Sequence, residues 1–103
     1  SAMAGDWTLK WDASTGATGY EVSYKPIAAT VYAVIDTGAA TQLAMPAVLT
    51  KGTRYEFFVR AYTGTGAARN FSGESDHLRW TYPKDPVVVE MPAQPQQIII
   101  NFQ

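Results

Sequence analysis

The sequence predicts an all-β domain in which two antiparallel sheets pack as a sandwich, followed by an extended C-terminal tail that is a candidate for one further strand. Three observations lead to this prediction. Apolar and polar residues alternate with a period of two in several short segments. Turn-forming residues separate these segments at regular intervals, as is typical of sandwiches and small barrels. Aromatic residues, which favour strands, make up 13% of the chain.

Five short segments carry the alternation, and a sixth, Thr30–Ile35, is short and β-branched and is expected to be an edge strand. Arg54–Thr63 shows it best, because Tyr55, Phe57 and Val59 share one face while Glu56, Phe58, Arg60 and Tyr62 share the other. Residues 64–75 contain three glycines and are expected to form a long loop. The predicted strands, in chain order, are Asp6–Asp12, Tyr20–Lys25, Thr30–Ile35, Thr41–Val48, Arg54–Thr63 and His77–Tyr82.

Composition restricts the classes of function. The 103 residues correspond to one domain, and a net charge of −1 gives no global field that would attract nucleic acid or an anionic membrane. The absence of cysteine excludes a disulfide framework and thiolate metal sites. No apolar run approaches the roughly 20 residues that cross a bilayer. We therefore expect no nucleic-acid partner, no membrane insertion and no cofactor.

Three regions are expected along the chain. Residues 1–5 are interpreted as an expression remnant and N-terminal lead, because Met3 follows two small residues. Residues 6–83 should form the sandwich. Residues 84–103 should form the tail, which prolines keep extended over much of its length.

Four short motifs follow one another in a regular order. They are Leu9-Lys10-Trp11, the run from Gly19 to Lys25, Leu49 with Tyr55 six residues later, and Gly73-Glu74-Ser75. In this order they resemble the second strand, the third strand, the tyrosine corner and the last loop of a fibronectin type III domain, which is an immunoglobulin-like sandwich. The chain departs from that family in two respects, since the Pro-rich first strand is missing and the tail is additional.

The resemblance implies a structural core and gives its aromatic residues a role in folding. Trp11, Tyr20 and Tyr55 would supply large apolar bodies with one polar group each. In the family, the corner tyrosine donates its hydroxyl to nearby backbone and fixes the crossover between the sheets. The implied core residues are Leu9, Trp11, Tyr20, Val22, Leu49, Tyr55, Phe57 and Val59.

The tail contains an apolar run with high β propensity at residues 98–102, formed by Ile98, Ile99, Ile100 and Phe102 around one asparagine. Left free, such a run promotes aggregation. The missing first strand would leave the Trp11 strand with an unpaired edge. We therefore expect residues 98–102 to pair at that edge, either in the same chain or in a second copy. The alternative is that residues 92–102 begin the next domain.

The sequence offers no constellation that predicts catalysis. His77 is the only histidine. Ser75 and Asp76 precede it, but neighbouring residues on a strand point to opposite faces and converge poorly into a triad. No Asp-x-Asp-x-Asp-Gly loop for calcium is present. The chain is thus expected not to be an enzyme, and His77 is expected to be a solvated strand residue.

The outward face of the sheet that carries Tyr20, Tyr55 and Leu78 is the predicted partner-binding face. Aromatic and arginine side chains dominate binding hot spots, and this face would present several of them. In the competing interpretation, the arginines cover the aromatic rings through ordinary cation–π contacts. The residues of this partner face are Phe58, Arg60, Tyr62 and Arg79.

Two functions remain open. The first is a structural, adhesion or spacer module of a larger extracellular, cell-surface or virion protein, since bacterial surface proteins, secreted polysaccharide-degrading enzymes and phage tail proteins use the family in this way. Its partners would be neighbouring domains of the same polypeptide, other proteins, or a second copy through the tail. The second is a carbohydrate-binding accessory module with exposed aromatic residues, for which Trp7, Tyr32 and Phe71 are the candidates.

Overall fold

The computed structural model describes residues 7–82, 88–89 and 100–102. Strands account for the regular structure of these residues, apart from one 3₁₀ turn at Gly66–Ala68. The strands are β1 Thr8–Trp11, β2 Gly19–Pro26, β3 Ala33–Gly38, β4 Gln42–Ala44, β5 Arg54–Thr63, β6 Asn70–Phe71, β7 Leu78–Thr81, β8 Val88–Val89 and β9 Ile100–Phe102.

The strands form two antiparallel sheets, and the prediction of an all-β, two-sheet sandwich is confirmed. One sheet has the order β4-β1-β9-β8. The other has the order β3-β2-β5, and both β6 and β7 pair with β5. As the resemblance implies, the strands that carry Tyr20, Tyr55 and Leu78 lie side by side. No described helix is long and apolar enough to cross a membrane.

The core lies between the two sheets and is built from the inward residues of the alternating strands. Leu9, Val22, Phe57 and Val59 are completely buried. Strand alternation explains this set, because residues separated by two positions point to the same face. All eight residues of the expected core are buried, and they are joined in the same cluster by Met45, Ala61, Leu78, Trp80 and Tyr82.

Two tyrosine hydroxyls tie loops to this core. The Tyr55 hydroxyl accepts a hydrogen bond from the Thr50 backbone N–H at 2.8 Å. The Tyr20 hydroxyl accepts one from the Ser14 N–H at 2.7 Å. The Tyr55 bond joins the ring to the backbone five residues upstream, and the hydroxyl accepts this hydrogen bond, whereas the resemblance implies that it donates one.

Several strand boundaries differ from the prediction because turns lie elsewhere. β3 begins at Ala33, since a turn closed by the Ala29 N–H and the Pro26 carbonyl is followed by a bend at Thr30 and Val31. β3 continues beyond the predicted segment to Gly38. Residues 64–75, expected to be a plain loop, include the 3₁₀ turn and β6.

The described part of the tail lies in the four-stranded sheet. β9 is antiparallel to β1, with Leu9 opposite Phe102 and Trp11 opposite Ile100. β8 pairs with β9 on the other side. β9 therefore lies along the β1 edge at which the sequence predicts the tail strand, whereas Ile98 and Ile99 fall outside the described residues.

Candidate interaction surface

The outward face of the five-stranded sheet brings together a set of acidic, basic and aromatic side chains. Cross-strand register places Ser23 opposite Phe58 and Glu21 opposite Arg60. The chain on either side of these strands then folds back over the face, because Tyr32 from the β2–β3 connection and His77 from the segment before β7 both contact Phe58. This arrangement gives two clusters of interacting side chains.

The first cluster is centred on the buried carboxylate of Glu56, and we call it the Glu56 cluster. The Tyr32 hydroxyl donates a hydrogen bond to this carboxylate. His77 Nδ1 lies 2.9 Å from Oε2, and Arg79 Nε donates to Oε1 at 3.1 Å. His77 Nε2 lies 2.8 Å from Glu74 Oε1, so the imidazole bridges two carboxylates. Glu56 is therefore held by three side chains from three segments.

Phe58 forms the apolar floor of the Glu56 cluster. The His77 ring stacks on it at 4.7 Å between centroids and 13° between planes. The Tyr32 ring meets it edge-on at 5.0 Å. Only 7% of Phe58 is exposed, so the outward side of the sheet carries a small second core.

The contacts of the Glu56 cluster change its proton affinities in a consistent way. The hydrogen bond from Tyr32, supported by His77 and Arg79, lowers the pKa of Glu56 from 4.5 to about 2 in spite of its burial. Burial and the same hydrogen bond raise the pKa of Tyr32 to about 12. Burial acts to lower the pKa of His77, but the bonds to Glu74 and Glu56 outweigh it and raise that pKa above 6.5.

The second cluster surrounds Glu21, and we call it the Glu21 cluster. Arg60 Nη2 lies 3.1 Å from Glu21 Oε1, and Arg69 Nη1 lies 3.4 Å from Oε2. Arg69 Nη1 is also 3.1 Å from Asp36 Oδ2. Two carboxylates thus meet two guanidinium groups, and their formal charges cancel. The Arg60 guanidinium lies 4.0 Å from the ring centroid of Phe71, which adds a cation–π contact.

Tyr62 joins the Glu21 cluster through Asp36, and its ring lies beside Gly19. Its hydroxyl donates to Asp36 Oδ1 at 2.8 Å. The Gly38 backbone N–H and then this tyrosine lower the pKa of Asp36, and the bond to Asp36 raises the pKa of Tyr62. A β-carbon built on Gly19 would lie 2.4 Å from the Tyr62 hydroxyl oxygen and 2.5 Å from Cζ. Gly19 therefore leaves the space that the phenol ring crosses to reach Asp36.

Neighbouring segments cover the two aromatic residues of the partner face, which is closer to the competing interpretation of covered rings. Phe58 and Tyr62 do point outward, but they are only 7% and 8% exposed because neighbouring segments cover them. Arg60 covers Phe71, and Tyr62 is covered by Arg69, whose guanidinium lies 4.9 Å from its ring centroid. Arg79 is the most exposed member, and its guanidinium pairs with Glu56.

The residues weighed for catalysis do not converge. Ser75 Oγ accepts the Val59 N–H at 2.8 Å and donates to the Asp76 carbonyl, so it completes the edge of β5. His77 is exposed, as expected, but it precedes β7, and both of its ring nitrogens lie at hydrogen-bonding distance from carboxylates. Among the described residues, no group of three or more His, Asp or Glu side chains is arranged to hold a metal ion.

The aromatic residues proposed for carbohydrate binding take part in packing. Trp7 lies against Trp80 and Tyr82, with ring centroids 5.9 and 5.5 Å away. Tyr32 belongs to the Glu56 cluster. Phe71 is 37% exposed, and Arg60 lies over its ring. These contacts leave no described flat row of open aromatic rings.

Three of the exposed large apolar residues of the described chain lie on the β2–β3 hairpin, where the sequence predicts no site. Val31 is 78% exposed, Val34 is 56% exposed and Ile27 is 38% exposed. The β-branched run at Thr30–Ile35, from which the sequence predicts an edge strand, is the signal that could have identified this surface.

Comparison of the chain with protein-family models, curated proteins and solved structures finds no match. The described residues form an all-β sandwich, and side chains from neighbouring segments cover the outward face of its five-stranded sheet.

Proposed function

We propose that this chain is a non-catalytic structural module of a larger extracellular, cell-surface or virion protein, and that it works through protein–protein contacts. The observation that carries the proposal is the closure of the outward face. Its acidic and basic groups bond one another in the Glu56 and Glu21 clusters, with the carboxylates of Glu21 and Glu56 only 11% and 10% exposed. A face whose charged groups already pair with one another suits a structural role.

The proton affinities support a structural role for the same groups. A general base or acid works best with a pKa near the operating pH. Glu56, with a pKa of about 2, is a weak base at neutral pH and holds no proton to donate. Its hydrogen bonds to Tyr32, His77 and Arg79 also occupy the positions that a substrate would need.

The resemblance to fibronectin type III domains is part of this proposal. Pairing of β1 with β4 in one sheet and of β2, β5 and β7 in the other supports it. The bond from the Thr50 N–H to the Tyr55 hydroxyl supports it further. Under this proposal, β9 takes the place of the family's absent first strand beside β1.

Neighbouring domains or other proteins are the proposed partners, and a second copy could enter through exchange of the tail strand. The exposed Ile27, Val31 and Val34 supply an apolar surface of the kind that marks protein contacts. β8 pairs with β9, so an exchange of the tail strand would move both strands to the second copy together. Exchange of an identical element between copies is a low-cost route to a dimer.

Deletion of residues 91–103 tests the structural part of the proposal. We expect a lower melting temperature, because β1 loses a paired neighbour and its edge becomes open. A chain that lacks only Gln103 keeps β9 and is the matched control. If the deletion leaves both the melting temperature and the oligomeric state unchanged, residues 91–103 are a linker and the tail does not complete the sandwich.

Titration with soluble oligosaccharides of glucose, xylose and N-acetylglucosamine, followed by NMR, tests the alternative of a carbohydrate-binding module. We expect no saturable shift of the Trp7 indole or the Phe71 ring, because both are packed against protein groups. A saturable shift confined to these aromatic residues would replace the structural proposal with the carbohydrate-binding one.

A further inference from the structure

The segment between β6 and β7 runs along β5 and is bonded to it at two points. The Ser72 and Ser75 N–H groups donate to β5 carbonyls at 2.8 and 2.9 Å. Gly73 and Glu74 lie between these points and are exposed. The Glu74 side chain makes a further contact, because its Oε1 lies 2.8 Å from Nε2 of His77. The outermost residues of this segment are therefore connected to the sheet through the His77 ring.

The His77 ring can bond both of its carboxylate neighbours only as an imidazolium. Nδ1 lies 2.9 Å from Glu56 Oε2, and Nε2 lies 2.8 Å from Glu74 Oε1. At neutral pH a carboxylate is ionised and only accepts hydrogen bonds, so each ring nitrogen must carry a proton. A neutral imidazole has one N–H group. Loss of one proton therefore breaks one of the two bonds and sets a nitrogen lone pair against a carboxylate oxygen.

The difference in burial between the two carboxylates decides which bond breaks. The Glu56 side chain is 10% exposed, and its carboxylate also accepts hydrogen bonds from Tyr32 and Arg79. The Glu74 side chain is 52% exposed. Removing a donor from a buried carboxylate costs more than removing one from a carboxylate that water can solvate. The remaining proton therefore stays on Nδ1, facing Glu56, and the Glu74 side chain turns to solvent.

We propose that His77 is a pH-operated latch, which holds Glu74 against the outward face while the ring is doubly protonated and releases it when Nε2 loses its proton. Stacking on Phe58 keeps the ring in place in both states. The two backbone bonds to β5 persist, so the rearrangement is confined to Gly73 and Glu74. The proposal goes beyond the proposed function, which requires no response to pH.

The charged and titratable groups around the His77 ring face it directly or through a shared partner. They are Lys25, Tyr32, Glu56, Glu74, Asp76 and Arg79. Burial lowers the pKa of His77, but the bonds to Glu74 and Glu56 outweigh it and raise that pKa above 6.5. Release of Glu74 is therefore expected above pH 6.5. Two carboxylates then face one cation instead of two, so the outward face gains a net negative charge.

NMR of the whole ¹⁵N-labelled chain, titrated from about pH 5 to about pH 9, covers the range in which a histidine changes its charge. His77 is the only histidine, so its ring nitrogens are assigned directly. We expect the Nδ1–H tautomer above the transition. The amide resonances of Gly73 and Glu74 should shift with the midpoint of the His77 ring, while the Ser72 and Ser75 amides stay protected from hydrogen exchange.

Glu74→Gln removes the carboxylate that the latch releases, and Asp76→Asn is the matched control because it removes one negative charge from the same segment. We expect Glu74→Gln to lower the pKa of His77 by about 0.5 and to abolish the Gly73 response. Asp76→Asn should lower that pKa less and leave the Gly73 response in place. Equal pKa changes in the two variants overturn the latch, since they reflect charge in general and not the bond to Nε2. An Nε2–H tautomer at high pH, or a Gly73 amide that does not follow the ring, also overturns it.

Discussion

Replacing Phe58 by alanine should destabilise the domain although Phe58 points away from the main core. The side chain is 7% exposed, with His77 stacked at 4.7 Å and Tyr32 edge-on at 5.0 Å. Burial of a phenylalanine contributes about 1.5–3 kcal/mol, and an aromatic pair adds about 0.5–1.5 kcal/mol. We expect a loss of about 2–4 kcal/mol, a little less than for a core phenylalanine, because the covering loops can partly close the gap.

Urea unfolding followed by tryptophan fluorescence measures this loss. With a slope of about 1–3 kcal/mol per molar urea, the midpoint should fall by roughly 1–3 M. Val34→Ala, on the same face but 56% exposed, is the control and should change stability by less than about 0.5 kcal/mol. If Phe58→Ala behaves like this control, the outward cover contributes nothing and the partner face is open after all.

Other contacts in the domain lead to four further predictions. Trp11→Ala should cost about 3–5 kcal/mol in urea unfolding because Trp11 is 3% exposed between the sheets, and an unchanged midpoint would refute its place in the core. Glu56 is stabilising while ionised, so stability should be complete above pH 4.5 and fall as the pH drops towards about 2, and Glu56→Gln should flatten this acid limb of the thermal melts. The raised pKa of His77 contributes stability below pH 6.5 that is lost as the pH rises through the folded pKa, and Glu56→Gln should weaken this limb too. Gly19→Ala should displace the Tyr62 ring and break its bond to Asp36. NMR with a soluble paramagnetic probe should then show greater solvent exposure of the Tyr62 ring. Unchanged Tyr62 resonances would contradict the close approach of this ring to Gly19.

The main strands could be predicted from sequence because a strand that is buried on one face alternates apolar and polar residues, and this pattern is visible in the local sequence. β5 is the clearest case, with its bounds at Arg54–Thr63 matching the predicted segment. Its inward residues Tyr55, Phe57 and Val59 are all buried. Edge strands show a weaker alternation, since only part of each face is covered. β3 accordingly begins three residues later than the predicted segment.

The candidate site could be predicted only in part, because alternation states which way a side chain points and not what lies above it. Glu56 and Phe58 were correctly placed on the outward face. Their burial depends on Tyr32 and His77, which come from segments 24 and 21 residues away from Glu56. Neither segment has a period that reveals how it folds back. The sequence does carry one signal, which is an acidic residue beside an aromatic residue on the same outward face. A buried carboxylate needs hydrogen-bond donors, and here other segments of the chain must supply them.

The outward cover and the tail strand should stabilise this domain independently of each other. The chain has no cysteine, and it supplements its main core with the outward cover over Phe58 and with β9 along β1. The cover lies on the five-stranded sheet and β9 lies in the four-stranded sheet. Phe58→Ala and deletion of residues 91–103 should therefore lower the free energy of unfolding by amounts that add in the combined variant. A combined loss that departs from this sum by more than about 0.5 kcal/mol would show that the cover and the tail strand form a single cooperative unit.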